Sequence, residues 1–207
     1  MTTHDLNTIL TRRTFFRQAL VAGAALVATP CAIAKAASPV ASAQPVVQHR
    51  DWRAALLDMD RWIHLERVSS KERGIFCYYA KGGGWDHRGY YAACHLLRDV
   101  EEQQTVQIDK RLVDTLYLIQ AWCRVNKRPY IIKINSGFRT LAHNARLKNS
   151  ARNSQHTQGT AADIRIDGMS TQELAAIARS IGVGGVGVYP SANFVHVDVG
   201  RVRNWIG

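Results

Sequence analysis

The clearest hydrophobic pattern lies in the second half of the chain, where β-branched stretches alternate with amphipathic ones. This pattern predicts strands over residues 130–135, 162–166, 186–189 and 194–199. A helix is predicted over residues 141–148. A second helix begins at Ser170, which forms a capping box with Glu173, and ends at Gly182. The last two strands flank a turn at residues 190–193 and therefore form a predicted hairpin.

The preceding part of the chain predicts another hairpin and two helices. Residues 61–68 and 75–80 are short apolar stretches with aromatic and β-branched members, which is typical of paired strands. One helix is predicted over residues 91–100, and another begins at Asp109, whose carboxylate can cap its first amides. The buried side of that second helix is predicted to carry Leu112, Val113, Leu116, Ile119, Ala121 and Trp122. Strands interleaved with helices favour a small α+β domain, with a central antiparallel or mixed sheet flanked by helices.

Strand alternation predicts which polar side chains lie away from the core. In residues 194–199 the three valines share one face, and His196 and Asp198 share the other. In residues 162–167 the apolar side chains likewise point inward, which leaves Asp163 on the opposite face. The two strands therefore offer an imidazole and two carboxylates on faces that are free of core residues.

The N-terminus has the features of an export signal. Paired arginines precede a short apolar run over residues 19–28 and small-residue Ala-x-Ala sites. We therefore predict a twin-arginine signal peptide over residues 1–36, a disordered leader over residues 37–50 and a domain over residues 51–207. The apolar run is too short for a membrane span, so no stable membrane insertion is expected after cleavage. The expected location is the periplasm.

The net charge limits the expected partners of the domain, and the cysteine content limits its structural zinc sites and disulfides. The formal charge of +11 falls to +8 on removal of the signal peptide, because four basic residues and one acidic residue leave with it. A basic exported domain is suited to an anionic polymer, and nucleic acid is not an expected partner. Cys77, Cys94 and Cys123 remain without any Cys-x-x-Cys pair, which excludes a zinc ribbon. One disulfide with one free thiol stays open, and we expect a monomer.

Three residues of the second half have the chemistry of a metal site. His156, Asp163 and His196 offer two imidazoles and one carboxylate, a set that suits a catalytic zinc because a fourth position stays open for water or substrate. Gly159 allows the chain between His156 and Asp163 to turn back sharply. Since both strand residues point away from the core, the sequence predicts one Zn²⁺ per chain at this trio.

Several motifs around the trio carry a resemblance to a known family. They are Ser136-Gly137-Phe138-Arg139-Thr140 with Asn144, Ser154-x-His156-x-x-Gly159-x-Ala161-x-Asp163, Gly184-Gly185-Val186-Gly187-x-Tyr189-Pro190 and Phe194-Val195-His196-Val197-Asp198-x-Gly200. Together they resemble the zinc peptidases that include D-Ala-D-Ala carboxypeptidases, lysostaphin-type enzymes and the hedgehog domain. Within that group the chain is most similar to the twin-arginine-exported periplasmic murein endopeptidases of the K type, from about Trp62 to Trp205.

The resemblance implies an activity and a set of site residues. It implies a metallopeptidase that hydrolyses peptide crosslinks of peptidoglycan, with the stem peptides as its partner and zinc bound by His156, Asp163 and His196. It also implies that Arg139 binds an anionic or carbonyl part of the substrate and takes part in catalysis, as its guanidinium fork allows. Ser154 and Asn144 are assigned to substrate binding beside it, and Arg165 or Arg201 are further candidates for binding stem carboxylates.

The proton acceptor is where the sequence departs from the family. Many relatives carry a histidine two positions before the last ligand, or an acid slightly further ahead, and here those positions hold Ala192, Asn193 and Phe194. Elimination among the acids leaves Asp198 as the best candidate base. Asp198 is equally suited to orienting an imidazole. A histidine from elsewhere, such as His87, also stays open.

Two other functions use the same residues differently. A non-haem iron oxygenase would bind iron with His196, Asp198 and a remote His156, although such domains generally place the remote histidine downstream of the pair. A non-catalytic peptidoglycan-binding module would explain the missing histidine at position 194. Release of soluble muropeptides would distinguish the peptidase from both.

Overall fold

An eight-stranded mixed sheet is the framework of this computed structural model, which describes residues 51–148, 150–182 and 184–207. The strands are β1 (Arg61–Arg67), β2 (Arg73–Ala80), β3 (Gly84–Trp85), β4 (Ile132–Ser136), β5 (Ala161–Arg165), β6 (Gly185–Tyr189), β7 (Phe194–Asp198) and β8 (Arg203–Ile206). The α-helices are α1 (Trp52–Leu57), α2 (His87–Leu96), α3 (Lys110–Val125), α4 (Leu141–Arg146) and α5 (Thr171–Ile181), and a 3-10 helix covers Gln155–Gln158.

The sheet order is β3-β2-β1-β4-β5-β7-β6-β8. The pairs β1 with β4 and β6 with β8 are parallel, and the other neighbours are antiparallel. This mixed sheet with helices confirms the predicted α+β class. Both predicted hairpins, β1 with β2 and β6 with β7, are present and antiparallel.

Helix ends follow the capping chemistry of the sequence where a cap was recognised. Helix α3 begins after Asp109, whose carboxylate accepts from the amide of Arg111, and α5 begins at the predicted capping box of Ser170 and Glu173. The prediction of a helix over residues 91–100 was displaced by four residues. Asp86 caps α2 by accepting from the amide of Gly89, so the helix starts at His87 and ends at Leu96.

The core lies between one face of the sheet and the helices α3 and α5. Strand residues of that face and the helical residues against them are fully buried, among them Ile63, Leu65, Ile134, Ile164, Val195, Leu116, Ile119 and Leu174. Full burial of each such side chain contributes about 1.5 to 3 kcal/mol. Trp122, predicted on the buried side of α3, is only half-buried. Buried residues instead occur on every side of this helix.

A bulge in β4 brings the site residues onto the opposite face. Ile134 pairs with Ile164 of β5, but Ser136 pairs with Asp163, so an extra residue interrupts the ladder at Asn135. Because side chains alternate across a strand, this insertion changes the face on which the end of β4 lies. Ser136 and the loop that follows it therefore run beside Asp163 instead of entering the core.

Other predictions concern the cysteines, the N-terminal segments and the number of strands. Cys77, Cys94 and Cys123 are all free thiols, so no disulfide forms within the described residues. The predicted signal peptide and leader, residues 1–50, lie outside the described residues. Over the part of the chain that the structure describes, no helix has both the length and the apolar character needed to cross a membrane. Strands β3 and β8 were not predicted, since both are short.

Candidate metal centre

Three ligand atoms from separate parts of the chain meet at one point. The distance from His156 Nε2 to Asp163 Oδ1 is 3.2 Å, from His156 Nε2 to His196 Nδ1 is 3.2 Å and from His196 Nδ1 to Asp163 Oδ1 is 2.9 Å. All three residues are buried. The trio named from the sequence is therefore a single compact cluster.

Local structure fixes the orientation of His156. It lies in the 3-10 helix, which Ser154 caps by accepting from the amide of His156 and which Gly159 ends with a φ of +67°. The ring nitrogen Nδ1 lies 2.6 Å from the carbonyl oxygen of Gly137. A carbonyl oxygen can only accept, so Nδ1 carries the proton and Nε2 faces the cluster with a free lone pair.

The other two ligand atoms are aligned by the sheet. Asp163 of β5 pairs directly with His196 of β7. The ring nitrogen Nε2 of His196 lies 3.0 Å from Asp198 Oδ2, to which it donates. The nitrogen Nδ1 then faces Asp163 and His156 as an acceptor.

These contacts leave three lone pairs pointing at one another, an arrangement that a cation or a shared proton must stabilise. Around a tetrahedral zinc, with Zn–N distances of about 2.0 to 2.1 Å, ligand atoms are roughly 3.3 Å apart. The separations of 2.9 to 3.2 Å agree with that spacing. The donor set and its geometry therefore fit a metal ion with three protein ligands.

The pKa shifts of His156 and Asp163 agree with metal binding, whereas that of His196 favours a proton shared with Asp163. Burial lowers the pKa of His156, which favours the neutral ring that a metal requires. Burial acts against the charged form of His196 as well, but its hydrogen bonds to Asp163 and Asp198 outweigh burial and raise its pKa. Burial would raise the pKa of Asp163, but the two histidines hold it well below its usual range. Asp163 is therefore a carboxylate throughout the neutral range.

Asp198 is buried within a set of hydrogen-bond donors and lies away from the meeting point of the ligand atoms. Its side chain has no exposed surface. Besides the bond from His196, it accepts hydrogen bonds from the amides of Gly185 and Gly200. The guanidinium of Arg203 donates two further bonds to it, at 2.7 and 3.1 Å. Burial would raise its pKa, but these donors hold the pKa far below its usual range.

The iron-triad alternative is not supported by this geometry. It requires His196 and Asp198 to face one ion together with His156. The structure instead places Asp198 on Nε2 of His196, while His156 and Asp163 lie on the Nδ1 side of the ring.

Arg139 lies beside the cluster and contacts one of its ligands. Its Nη2 is 3.2 Å from Asp163 Oδ2, the oxygen that does not face the histidines. Its Nε donates to Ser136 Oγ at 3.0 Å, and its Nη1 lies 3.4 Å from Asn144 Oδ1. The guanidinium therefore bridges the metal-ligand cluster and the cavity described next.

Asn144 and Ser154, expected to bind substrate, are both buried and use their polar groups within the protein. Asn144 is 4% exposed, donates to the carbonyl of Ala151 at 3.0 Å and faces Arg139. The Ser154 hydroxyl caps the 3-10 helix through the amide of His156. His87, the other histidine left open as a base, is an exposed residue at the start of α2 that stacks on Tyr91.

A cavity of about 340 Å³ opens next to the cluster. Asp163, Arg139 and Ser136 form one side of it, and Arg67 and Asn135 form another. Arg67 was not recognised from the sequence, because nothing in the pattern shows that the end of β1 lies against the end of β4.

Two further neighbours of His196 were also missed. The ring of Trp205 lies 5.3 Å from that of His196, and Trp205 Nε1 donates to the hydroxyl of Tyr189 at 2.9 Å. Arg203 holds Asp198. Both belong to β8, and without a prediction of that strand neither could be placed.

Comparison with known proteins agrees with the site. Residues 56–205 match a family described as peptidoglycan L,D-endopeptidase MepK. The chain is 36% identical over 130 residues to the peptidoglycan L,D-endopeptidase MepK of Escherichia coli, which covers 58% of this chain and 70% of that protein. It is 37% identical over 117 residues to the probable peptidoglycan L,D-endopeptidase MepK of Haemophilus influenzae, covering 55% and 62%. No solved structure matches the chain. The resemblance drawn from the motifs is thus confirmed: the chain belongs to the peptidoglycan L,D-endopeptidase MepK family and is a peptidase.

Proposed function

We propose that this protein is a zinc-dependent endopeptidase that hydrolyses peptide crosslinks of peptidoglycan. The observation that supports the zinc site is the convergence of His156 Nε2, Asp163 Oδ1 and His196 Nδ1 within 3.2 Å of one another. Family membership supports the substrate. The basic net charge of the chain is also suited to an anionic wall polymer.

His156, Asp163 and His196 would hold one zinc ion and leave its remaining position open. When bound, zinc polarises a carbonyl and lowers the pKa of a coordinated water towards about 7. The protein's own contribution is orientation. The carbonyl of Gly137 fixes His156, and Asp198 fixes His196, so both imidazoles present unprotonated nitrogens.

Arg139 is assigned two tasks, which its contacts support. It orients Asp163 through Oδ2, and it presents a cation to the cavity where a peptide carbonyl or carboxylate would lie. Ser136 and Asn144 hold its guanidinium from the protein side. Ser154 shapes the 3-10 helix that carries His156. We therefore assign Asn144 and Ser154 as positioning residues.

We assign Asp198 to positioning rather than to proton transfer. Its oxygens accept from two backbone amides, His196 and Arg203, and its side chain is fully buried. A carboxylate stabilised by so many donors is a weak base. An acceptor of the water's proton must also be within hydrogen-bond reach of that water, and Asp198 lies on the far side of the imidazole.

Export by the twin-arginine pathway to the periplasm, with cleavage after the signal over residues 1–36, completes the proposal. It rests on the paired arginines and the Ala-x-Ala sites, and on a substrate that lies outside the cytoplasm. We further propose that the domain over residues 51–207 acts as a monomer.

The decisive experiment measures zinc content and cleavage together. Wild-type protein should contain one zinc per chain and release soluble muropeptides from purified sacculi. His156→Ala should lose both stoichiometric zinc and cleavage, because two ligands remain for the ion. His95→Ala, a change at an exposed histidine of α2, should retain both. Full activity of the His156→Ala variant, or cleavage by protein without metal, would overturn the proposal.

A further inference from the structure

Arg67 is a buried cation without an ion pair. Its side chain is at the C-terminal end of β1 and is only 6% exposed, yet it forms no salt bridge within the described residues. Its Nε donates to Ser69 Oγ at 3.2 Å, and its Nη1 is buried without a hydrogen-bond partner in the same part of the chain. A buried guanidinium with an unused donor is costly and calls for an explanation.

The acids around Arg67 are already engaged elsewhere. Glu72 pairs with Arg98 at 2.8 Å, and Asp99 contacts His143 at 2.9 Å and the amide of Thr140 at 2.8 Å. Asp163 faces the metal-ligand cluster and Arg139. Burial and then the nearby Arg98 lower the pKa of Arg67, and these acids do not fully offset the two effects. Glu101, which also lines the cavity, contacts His143 at 3.3 Å and Arg146 at 3.5 Å. No carboxylate among the described residues therefore pairs with Arg67.

Arg67 lies in the wall of the cavity beside the metal centre. Arg67 lines this space of about 340 Å³ together with Arg139 and Asp163. Asn135 also lines it, and its Oδ1 is buried without a partner among the described residues. The cavity is thus lined by a buried cation without an ion pair and by a buried amide, in a volume within the range of small-ligand sites.

The topology explains why these groups meet next to the metal ligands. Strands β1 and β4 are parallel neighbours, with Arg67 paired to Ile134, so their C-terminal ends reach the same edge of the sheet. The bulge at Asn135 then brings Ser136 opposite Asp163. Neighbouring strands are roughly 4.8 Å apart, and Arg67 and Asp163 lie on strands that are separated by one other strand. The distance between the two backbones is therefore about 10 Å, which about three extended residues of a bound peptide would span.

We propose that the cavity bounded by Arg67, Asn135 and Arg139 binds a free carboxylate of the stem peptide close to the scissile amide, with Arg67 as the residue that distinguishes carboxylate from carboxamide. This inference rests on the proposed function. A carboxylate accepts a guanidinium hydrogen bond with opposite charge, whereas a carboxamide loses the charge and turns a donor towards Arg67.

The test compares two crosslinked muropeptides that differ only at the diaminopimelate carboxylate, free in one and amidated in the other. Wild-type protein should cleave the free acid with a kcat/KM at least about tenfold higher, as expected for a hydrogen bond between charged groups. In Arg67→Gln this preference should shrink towards one, mainly through a raised KM for the free acid. Arg124→Gln, which changes an exposed arginine of α3, is the matched control and should keep the wild-type preference.

Folding of the variants is checked separately, because Arg67 is buried. Zinc content and the melting temperature establish that the metal centre is intact, and Arg67→Lys, which keeps the charge without the fork, should show an intermediate preference. Equal cleavage of both substrates by wild-type protein, or an unchanged preference in Arg67→Gln and Arg67→Lys, would overturn this inference. Wild-type protein that binds no zinc and cleaves neither substrate would instead overturn the proposed function.

Discussion

Single residues around His196 show how hydrogen bonds decide which atom becomes a ligand. An imidazole can present either nitrogen, and the one left without a proton is set by the partner of the other. Asp198 accepts from Nε2 of His196, so Nδ1 faces Asp163 and His156. Arg203 in turn holds Asp198 with two hydrogen bonds. The hydrogen-bonded chain Arg203, Asp198, His196 therefore fixes the ring orientation of a proposed metal ligand.

We expect Asp198→Asn to weaken zinc binding by about 10- to 100-fold, as loss of such a support generally does. Added zinc should then restore most of kcat. The measurement is zinc affinity by competition with a chelator, together with kcat at saturating zinc. Asp167→Asn, a change at an exposed aspartate that pairs with Lys133, should leave both unchanged. Full zinc occupancy with a kcat that zinc cannot restore, and loss of the acidic limb of the pH profile, would identify Asp198 as the base instead.

At the scale of elements, the loop after β4 packs its backbone against Leu97, the residue that follows α2. The amide of Phe138 donates to the carbonyl of Leu97 at 2.7 Å, and the carbonyl of Gly137 accepts from His156. A Cβ at position 137 would lie 2.2 Å from the Leu97 carbonyl oxygen. Glycine is therefore required here by the close approach of two backbones.

Gly137→Ala should destabilise the protein by about 1 to 3 kcal/mol, the usual cost of overpacking, and weaken zinc binding because the Gly137 carbonyl must move. Denaturant unfolding with and without zinc measures both effects. Gly83→Ala is the control, since the nearest atom to its added Cβ is 3.5 Å away, and its stability should change by less than about 0.5 kcal/mol. Wild-type stability in the Gly137→Ala variant would contradict this account of the loop.

A second element contact predicts a dependence on pH. Glu72, in the turn between β1 and β2, accepts from Ser70 and from Arg98 at the end of α2, and these bonds lower its pKa from near 4.5 to about 2. A lowered pKa contributes stability above about pH 4.5, which is lost as the pH falls towards 2. Glu72→Gln should therefore be less stable than wild type at pH 7, and the difference should vanish near pH 2. A constant difference in unfolding free energy at all pH values would exclude this ionisation as its source.

At the scale of the whole molecule, the metal centre joins segments that are far apart in the chain. His156 comes from the 3-10 helix, Asp163 from β5 and His196 from β7, and the strands also carry the core residues Ile164 and Val195. Binding of an ion to the folded site but not to the unfolded chain stabilises the fold by mass action. If the proposed site binds zinc, metal occupancy and global stability are expected to be coupled.

Removal of metal by a chelator should lower the melting temperature of the wild-type protein, and added zinc should restore it. The stabilisation amounts to about 2.7 kcal/mol at a free zinc concentration 100 times Kd. His156→Ala should melt at the same temperature with or without chelator. Zinc removal is verified by elemental analysis. If the melting temperature of the wild-type protein does not change on that removal, zinc binding does not contribute to the stability of the fold.

The sequence predicted the elements of the second half closely, because local chemistry decides them. Ser170 with Glu173 and Gly182 set the ends of α5, and alternation of valines set the faces of β7. The failures are of another kind. The helix placed over residues 91–100 was displaced because the cap at Asp86 was overlooked, and β8 was missed because four residues give too short a pattern.

For this protein, the sequence by itself determined most strand and helix segments and the candidate ligand trio, since these follow from local spacing and residue type, and its motifs carried the resemblance to the family. Only the tertiary structure decided the partners of these groups: which nitrogen of His196 faces the cluster, that Asp198 is enclosed by Arg203, and that Arg67 lies unpaired beside Arg139. The physical reason is that hydrogen-bond partners and desolvation depend on contacts between distant segments, and one β-bulge at Asn135 is enough to change which residues meet.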